Sequence, residues 1–221
     1  MANNQFFDVH THSKESTLKK AAVYNFYKDF HLVKNYPYCS VGLHPWYIDT
    51  NWETTWNIIE SAANQLNVIA IGETGLDKIV TTPLQQQLKV FALHVQLANQ
   101  LQKPLIIHCV RAFNEVVQQL TILQNKVPVI FHGFNKSVAL AQNLVQQGFY
   151  ISFGKAITKY AVGELSILPL SNIFVETDDA AISIEKMYDL AAYRFNIDLN
   201  VFSLHIQQNA TTVFGKNIDW L

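Results

Sequence analysis

The stretch Phe6-Phe7-Asp8-Val9-His10-Thr11-His12 is a short apolar run that ends in two histidines one residue apart. Side chains alternate between faces along a strand, so His10 and His12 point to the same side. Two imidazoles side by side at a strand end suit a divalent metal better than a packed core. Two surface histidines, or a pair satisfied inside the core, is the competing reading. The pattern decides the fold because it recurs. An apolar run leads into a histidine or carboxylate again at Leu43-His44, at Val68-Ile69-Ala70-Ile71-Gly72-Glu73, at Leu105-Ile106-Ile107-His108, at Phe131-His132 and at Ile173-Phe174-Val175-Glu176-Thr177-Asp178.

Working outward, runs at 6–12, 21–27, 38–43, 68–71, 104–109, 127–131, 149–153 and 173–179, the last ending in acid, read as eight strands. Continuous apolar runs of this kind belong to parallel strands buried on both faces. Helical spacing fills most of the intervals. Residues 49–67 carry Trp52, Trp56, Ile59, Ala63 and Leu66 on one stripe, and residues 83–102 carry Leu84, Leu88, Phe91, Val95 and Ala98. Further helices are expected over 112–125, 135–147 (closed by Gly148), 157–168 (with an interior Gly163), 183–195 and 199–214. Alternating strand and helix predicts an α/β protein, a distorted (β/α)8 TIM-like barrel. The polar connection 13–20 is too short for a full helical crossover, so the first β-α-β unit is shortened. A doubly wound open sheet is the rival, but no glycine-rich phosphate loop follows the first strand. His31, His94 and His205 read as structural or solvent-facing.

The 221 residues are 49% hydrophobic and 15% charged, with no linker-like stretch, so a single domain over 1–221 is expected. The formal net charge of -1 gives no basic footprint for nucleic acid over the whole chain. A phosphate-bearing substrate stays open, because bound cations would supply positive charge locally. Cys39 and Cys109 build neither a disulfide framework nor a Cys-x-x-Cys site, and two buried, reduced thiols suit a cytoplasmic protein. The start Met-Ala-Asn-Asn-Gln lacks the character of a signal peptide, and no run is long enough to span a bilayer. No membrane association and no obligate protein partner are expected.

The strand-end residues form one constellation: His10, His12, Glu73, His108, His132 and Asp178. In a barrel these ends meet at the C-terminal face, where active sites lie. Four histidines and two carboxylates exceed one tetrahedral zinc and suit two adjacent divalent ions sharing a carboxylate. Each residue alone has a bland explanation; all six together would each need a buried partner. His44 on its own reads as a histidine stacked on Trp46.

The motifs around these residues, in order, resemble those of the TatD family of metal-dependent deoxyribonucleases. They are Phe7-Asp8-Val9-His10-Thr11-His12, Val41-Gly42-Leu43-His44-Pro45-Trp46, Ile71-Gly72-Glu73-Thr74-Gly75-Leu76-Asp77, His132-Gly133-Phe134, Val175-Glu176-Thr177-Asp178 and Asn209-Ala210. The resemblance spans nearly the whole chain. It implies that His10 and His12 bind one metal with Asp178, that Glu73 bridges two metals, and that His108 and His132 bind the second. It also implies that His44 and Arg111 meet the substrate. The chain departs from the family in four places: the short segment after the first strand, Arg111 three rather than two residues after His108, Lys78 where an aromatic is common, and Ala180-Ala181 after Asp178 in place of proline.

The function expected is hydrolysis of an ester bond. A TatD-like deoxyribonuclease would cleave phosphodiesters with water activated by two divalent ions (Mg2+, Mn2+ or Zn2+), with Asp178 as general base and Glu73 beside it. The substrate would be DNA, single-stranded or at ends, held weakly and without sequence preference. The alternatives are an amidohydrolase-like enzyme acting on a small amide, lactone or phosphoester, and a non-catalytic barrel that keeps its metal site.

Overall fold

The computed structural model describes residues 6–13, 21–215 and 218. Among them are eight strands: β1 (Phe7–Thr11), β2 (Ala21–Phe26), β3 (Cys39–Val41), β4 (Val68–Asp77), β5 (Leu105–Val110), β6 (Val129–Phe131), β7 (Tyr150–Phe153) and β8 (Ile173–Val175). Six α-helices accompany them: α1 (Trp52–Ala63), α2 (Leu84–Leu101), α3 (Phe113–Ile122), α4 (Val138–Gln146), α5 (Ile184–Phe195) and α6 (Leu199–Phe214). The strand order follows the sequence, β1 to β8. That is the order of a (β/α)8 fold. The shortened connection expected after the first strand falls on 14–20, outside the described residues.

The chain divides into two compact units, residues 1–23 with 130–221, and residues 24–129. In the first, β6, β7 and β8 pair in parallel, with Ile151 opposite Ile173 and Phe153 opposite Val175. A parallel bridge joins Thr11 to Asp178, just past the ends of β1 and β8. Phe7, Phe174 and Phe214 pack with ring centroids 5.5 to 6.3 Å apart. The Tyr188 hydroxyl accepts from Phe7 N (2.9 Å) and donates to Phe7 O (3.0 Å), satisfying both backbone groups where β1 begins. Helix α5 starts where the Ser183 side chain accepts from Lys186 N, a conventional N-cap.

In the second unit, β2, β3, β4 and β5 pair in parallel, with Asn25 opposite Ser40 and Gly75 opposite His108. Strand β4 is almost wholly buried, and α2 covers it with Val90, Phe91, Val95 and Ala98. His94, on α2, is fully buried: Nε2 accepts from Leu43 N (2.9 Å) and Nδ1 faces Val90 O (2.8 Å). It is structural, as expected, and burial holds its imidazole down to about 4.

Four local expectations are corrected. Glu73 does not follow a strand that ends at Ile71; it lies inside a ten-residue β4. The register against β5 shifts between Ile71 and Thr74. A Cβ on Gly75 would stand 1.9 Å from His108 O, so the two strands approach too closely there for any side chain. Residues 157–168 do not form a helix but contribute to two 3-10 turns, Lys155–Lys159 and Glu164–Ile167. Gly163, at φ 79°, breaks the helical path between them. Leu66 lies beyond the end of α1 and is fully exposed. Cys39 is a buried thiol, but Cys109 is only half-buried. No helix among the described residues is long and apolar enough to cross a membrane.

Candidate metal centre

The first ligand set belongs to the first unit. Beyond β1 and β8 the backbones interlock, with His12 N donating to Asp178 O (2.9 Å) and Asp178 N donating to His10 O (3.0 Å). Asp178 sits at φ 53°, a left-handed conformation uncommon outside glycine. Its Oδ1 lies 3.4 Å from His12 Nε2 and 3.7 Å from His10 Nε2. The His132 ring stands 4.3 Å from that of His10, and ligand atoms of His10, His132 and Asp178 all fall within 4.8 Å of one another.

Buried carboxylates stand behind this set. Asp8 accepts from Thr177 Oγ1 (2.6 Å), Thr177 N (3.1 Å) and His10 N (3.4 Å), which pins β1 to the residue before Asp178. Burial pushes the Asp8 carboxyl up to about 7, against the Thr177 hydrogen bonds that favour its charge. Glu176 Oε1 accepts from Gly133 N (2.6 Å) and lies 3.4 Å from His132 Nδ1, so it backs the imidazole rather than joining the ligand group.

The second set belongs to the second unit and joins His44, Glu73 and His108. Glu73 Oε1 is 3.2 Å from His44 Nε2 and 3.1 Å from His108 Nδ1. Asn25 holds the glutamate from both ends: its Oδ1 accepts from Glu73 N (2.9 Å) and its Nδ2 donates to Glu73 Oε2 (3.4 Å). Ser40 Oγ fixes the Asn25 amide in turn. Asp77, on the same face of β4 as Glu73, takes the far side of His108, with Oδ2 3.0 Å from Nε2. The same oxygen accepts from Trp46 Nε1 (2.8 Å), and Oδ1 accepts from Ile79 N (2.9 Å). Burial raises the Asp77 carboxyl, but these donors outweigh it and leave the group below its ordinary range, hence ionised.

These contacts assign protons. His44 Nδ1 accepts from Trp46 N (3.1 Å), so a neutral His44 carries its proton on Nε2 and is a donor toward Glu73. A neutral His108 is the reverse: its Nε2–H donates to the ionised Asp77, which leaves the Nδ1 lone pair facing Glu73 Oε1. Two acceptors facing each other at 3.1 Å suit a cation ligated by both, with a carboxylate orienting the imidazole from behind. The donor chemistry therefore fits a divalent metal. The edge-on contact of His44 with Trp46, at 5.1 Å between centroids, is also present.

A profile of the TatD related DNase family matches residues 6–213. The chain belongs to this family. Among its relatives is a protein named 3'-5' ssDNA/RNA exonuclease TatD from Salmonella typhimurium, 32% identical over 162 residues, 66% of this chain and 60% of that protein. Another, from Buchnera aphidicola subsp. Baizongia pistaciae, is named an uncharacterized metal-dependent hydrolase and is 33% identical over 152 residues, 65% of this chain and 56% of its own length. The chain thus spans less than two thirds of these relatives. Among solved structures, the TatD homologue YjjV of Escherichia coli K12 superposes with a TM-score of 0.82 at 20% identity, over 95% of this chain and 98% of that one. That likeness bears out the (β/α)8 fold class.

Within this TatD-family chain all six expected ligands fall in one set or the other, with His132 beside His10 and Asp178. Arg111 is exposed and at φ 53°, outside both sets. Lys78, where an aromatic is common in the family, forms an ion pair with Glu115. His31 is exposed and His205 half-buried. The supports Asp8, Asn25, Asp77 and Thr177 were not anticipated. A period of two was the available signal for two of them: Asp8 shares a strand face with His10 and His12, and Asp77 shares one with Glu73.

Proposed function

We propose that this chain is a single-domain, metal-dependent hydrolase that cleaves phosphodiester bonds in nucleic acid, with single-stranded DNA or DNA ends as substrate. One observation carries the reading: His108 Nδ1, backed by Asp77, and the Glu73 carboxylate aim two acceptors at one point. The names of relatives such as the Salmonella typhimurium exonuclease support nucleic acid as the substrate class. His10, His12, His132 and Asp178 supply the ligands of one set, and Glu73 and His108 those of the other. We infer one divalent ion for each set, Mg2+, Mn2+ or Zn2+; imidazole-rich sets favour the last and carboxylates the first two. When bound, such ions lower the pKa of water and polarise a phosphoryl oxygen.

The chain's own groups do the rest. Asp178, partly exposed beside His12, takes the proton of the attacking water. Glu73 is held by Asn25 so that its carboxylate does not swing away during turnover. His44, with its proton on Nε2, turns that N–H from Glu73 to a phosphate oxygen when substrate is bound. Arg111, exposed past β5, meets the strand further out. The near-neutral net charge makes nucleic-acid binding weak and tolerant of sequence. Two cysteines kept as thiols, Cys39 and Cys109, fit a reducing compartment, so the cytoplasm is the proposed location.

The test is digestion of end-labelled single-stranded and duplex DNA with Mg2+, Mn2+ or Zn2+, beside Glu73→Ala and His108→Ala. Metal-dependent cleavage lost in both variants is expected, and the product ladder gives the direction. Turnover of an amide or lactone with no cleavage of DNA would move the activity to another hydrolase class.

A further inference from the structure

A cluster of aromatic rings beside the second ligand set has no role in metal binding. Trp46 is 56% exposed and Tyr47 46% exposed, although both belong to a short 3-10 turn, Pro45–Tyr47, that leads directly from the buried His44. Neither ring is free to turn. The Trp46 indole N–H is fastened to Asp77, and its ring lies 6.0 Å from the His108 ring. The Tyr47 ring lies parallel to that of Tyr27, 4.6 Å apart and 9° from coplanar, and 5.7 Å from His44. Lys28, exposed, places its ammonium 5.3 Å from the centre of the Tyr27 ring.

Large apolar side chains left in water on rigid mounts are a cost to a fold unless something covers them. Here the mount is shared with the ligands: Asp77 holds Trp46 and His108 with the same oxygen. Whatever lies on these rings is therefore held beside the hydrolytic groups. We propose that Trp46 and Tyr47, with Tyr27 behind Tyr47, form a stacking platform for unpaired nucleobases flanking the scissile phosphate. Lys28 adds a positive charge at the Tyr27 ring. This rests on the nucleic-acid reading above and adds the feature that selects single strands.

The chemistry favours this occupant. Base stacking on aromatic rings is indifferent to base identity and needs the base out of a duplex. With a net charge of -1 the chain offers little phosphate affinity away from its ligand sets, and ring contacts add affinity there. Trp and Tyr lose little side-chain freedom on binding, and here their poses are already set.

The experiment is an abasic scan. A fluorescein-labelled, fully phosphorothioate single strand, which resists hydrolysis, is made with one abasic residue at each position in turn. Its binding to the metal-loaded protein is followed by anisotropy for wild type, Tyr47→Ala and Tyr47→Phe. In wild type, one or two positions are expected to weaken binding about tenfold when the base is missing. Tyr47→Ala weakens the intact strand about tenfold and loses the difference between intact and abasic strands at one position; Tyr47→Phe, which keeps the ring, retains it. Circular dichroism checks that each variant is folded, and the scan on wild type needs no variant at all. A flat abasic scan, or an abasic penalty that survives unchanged in folded Tyr47→Ala, overturns the platform while leaving the nuclease reading intact. A wild-type protein that neither binds nor cleaves any single strand overturns both.

Discussion

Replacing Asp77 by asparagine tests whether the second ligand set is organised from behind. The Asp77 carboxylate receives three donors: His108 Nε2 and Trp46 Nε1 on Oδ2, and Ile79 N on Oδ1. An amide keeps one oxygen. If that oxygen stays on the His108 side, the new NH2 group faces the Ile79 N–H; if it turns, the NH2 faces His108 and Trp46. Either way at least one buried donor loses its acceptor, at about 1–3 kcal/mol. The His108 contact also becomes neutral, and charge-assisted hydrogen bonds are about twice as strong as neutral ones. For a chain of this size about 2 kcal/mol lowers the melting temperature by roughly 4–8 °C. With the imidazole less firmly aimed, divalent-metal affinity at this set is expected to fall about 10–100-fold. Thermal melting of metal-free protein and Zn2+ competition with a chelator read the two effects separately. Affinity and melting temperature both matching wild type would refute the positioning role.

Three further perturbations follow from the packing. His94 is neutral in the fold with its pKa pushed down to about 4, so the unfolded chain binds the extra proton first; stability should decline as pH falls from about 6.5 to 4, by roughly 3 kcal/mol. Urea titrations at pH 7 and 4.5 measure it, and His94→Gln should flatten this part of the slope. Tyr188→Phe removes the hydroxyl that bonds Phe7 N and Phe7 O, and chemical denaturation should show a loss of about 1–3 kcal/mol for the two hydrogen bonds. Gly75→Ala drives a Cβ into His108 O at a φ of 146°, so loss of folded protein, seen by circular dichroism, is the expected outcome.

Much of this architecture was legible because parallel strands covered on both faces leave unbroken apolar runs, and a polar residue ending such a run stands out. That is how His10, His12, His108, His132 and Asp178 were found, and each lies at or near a strand end. Glu73 was found for a partly wrong reason. The apolar run stops at Ile71, yet the strand continues to Asp77, because glycines at 72 and 75 let β4 and β5 pair without side chains. Asp77 lies beyond that apolar run, and its hold on His108 was missed. The Asp8–Thr177 contact joins residues 169 apart in sequence, which no local pattern reveals. The turns at 155–159 and 164–167 carry apolar residues at helical spacing, and the extended Tyr160 and left-handed Gly163 between them break the helical path.

Metal stoichiometry tests the central claim most directly. Purified protein, stripped with chelator and titrated with Zn2+ or Mn2+ in a calorimeter, is predicted to bind two ions per chain. One is expected to be lost in the double variant His10→Ala/His12→Ala and the other in His108→Ala, with each variant still folded. Binding of no ion by folded wild-type protein, or of the full complement by both variants, would contradict the account.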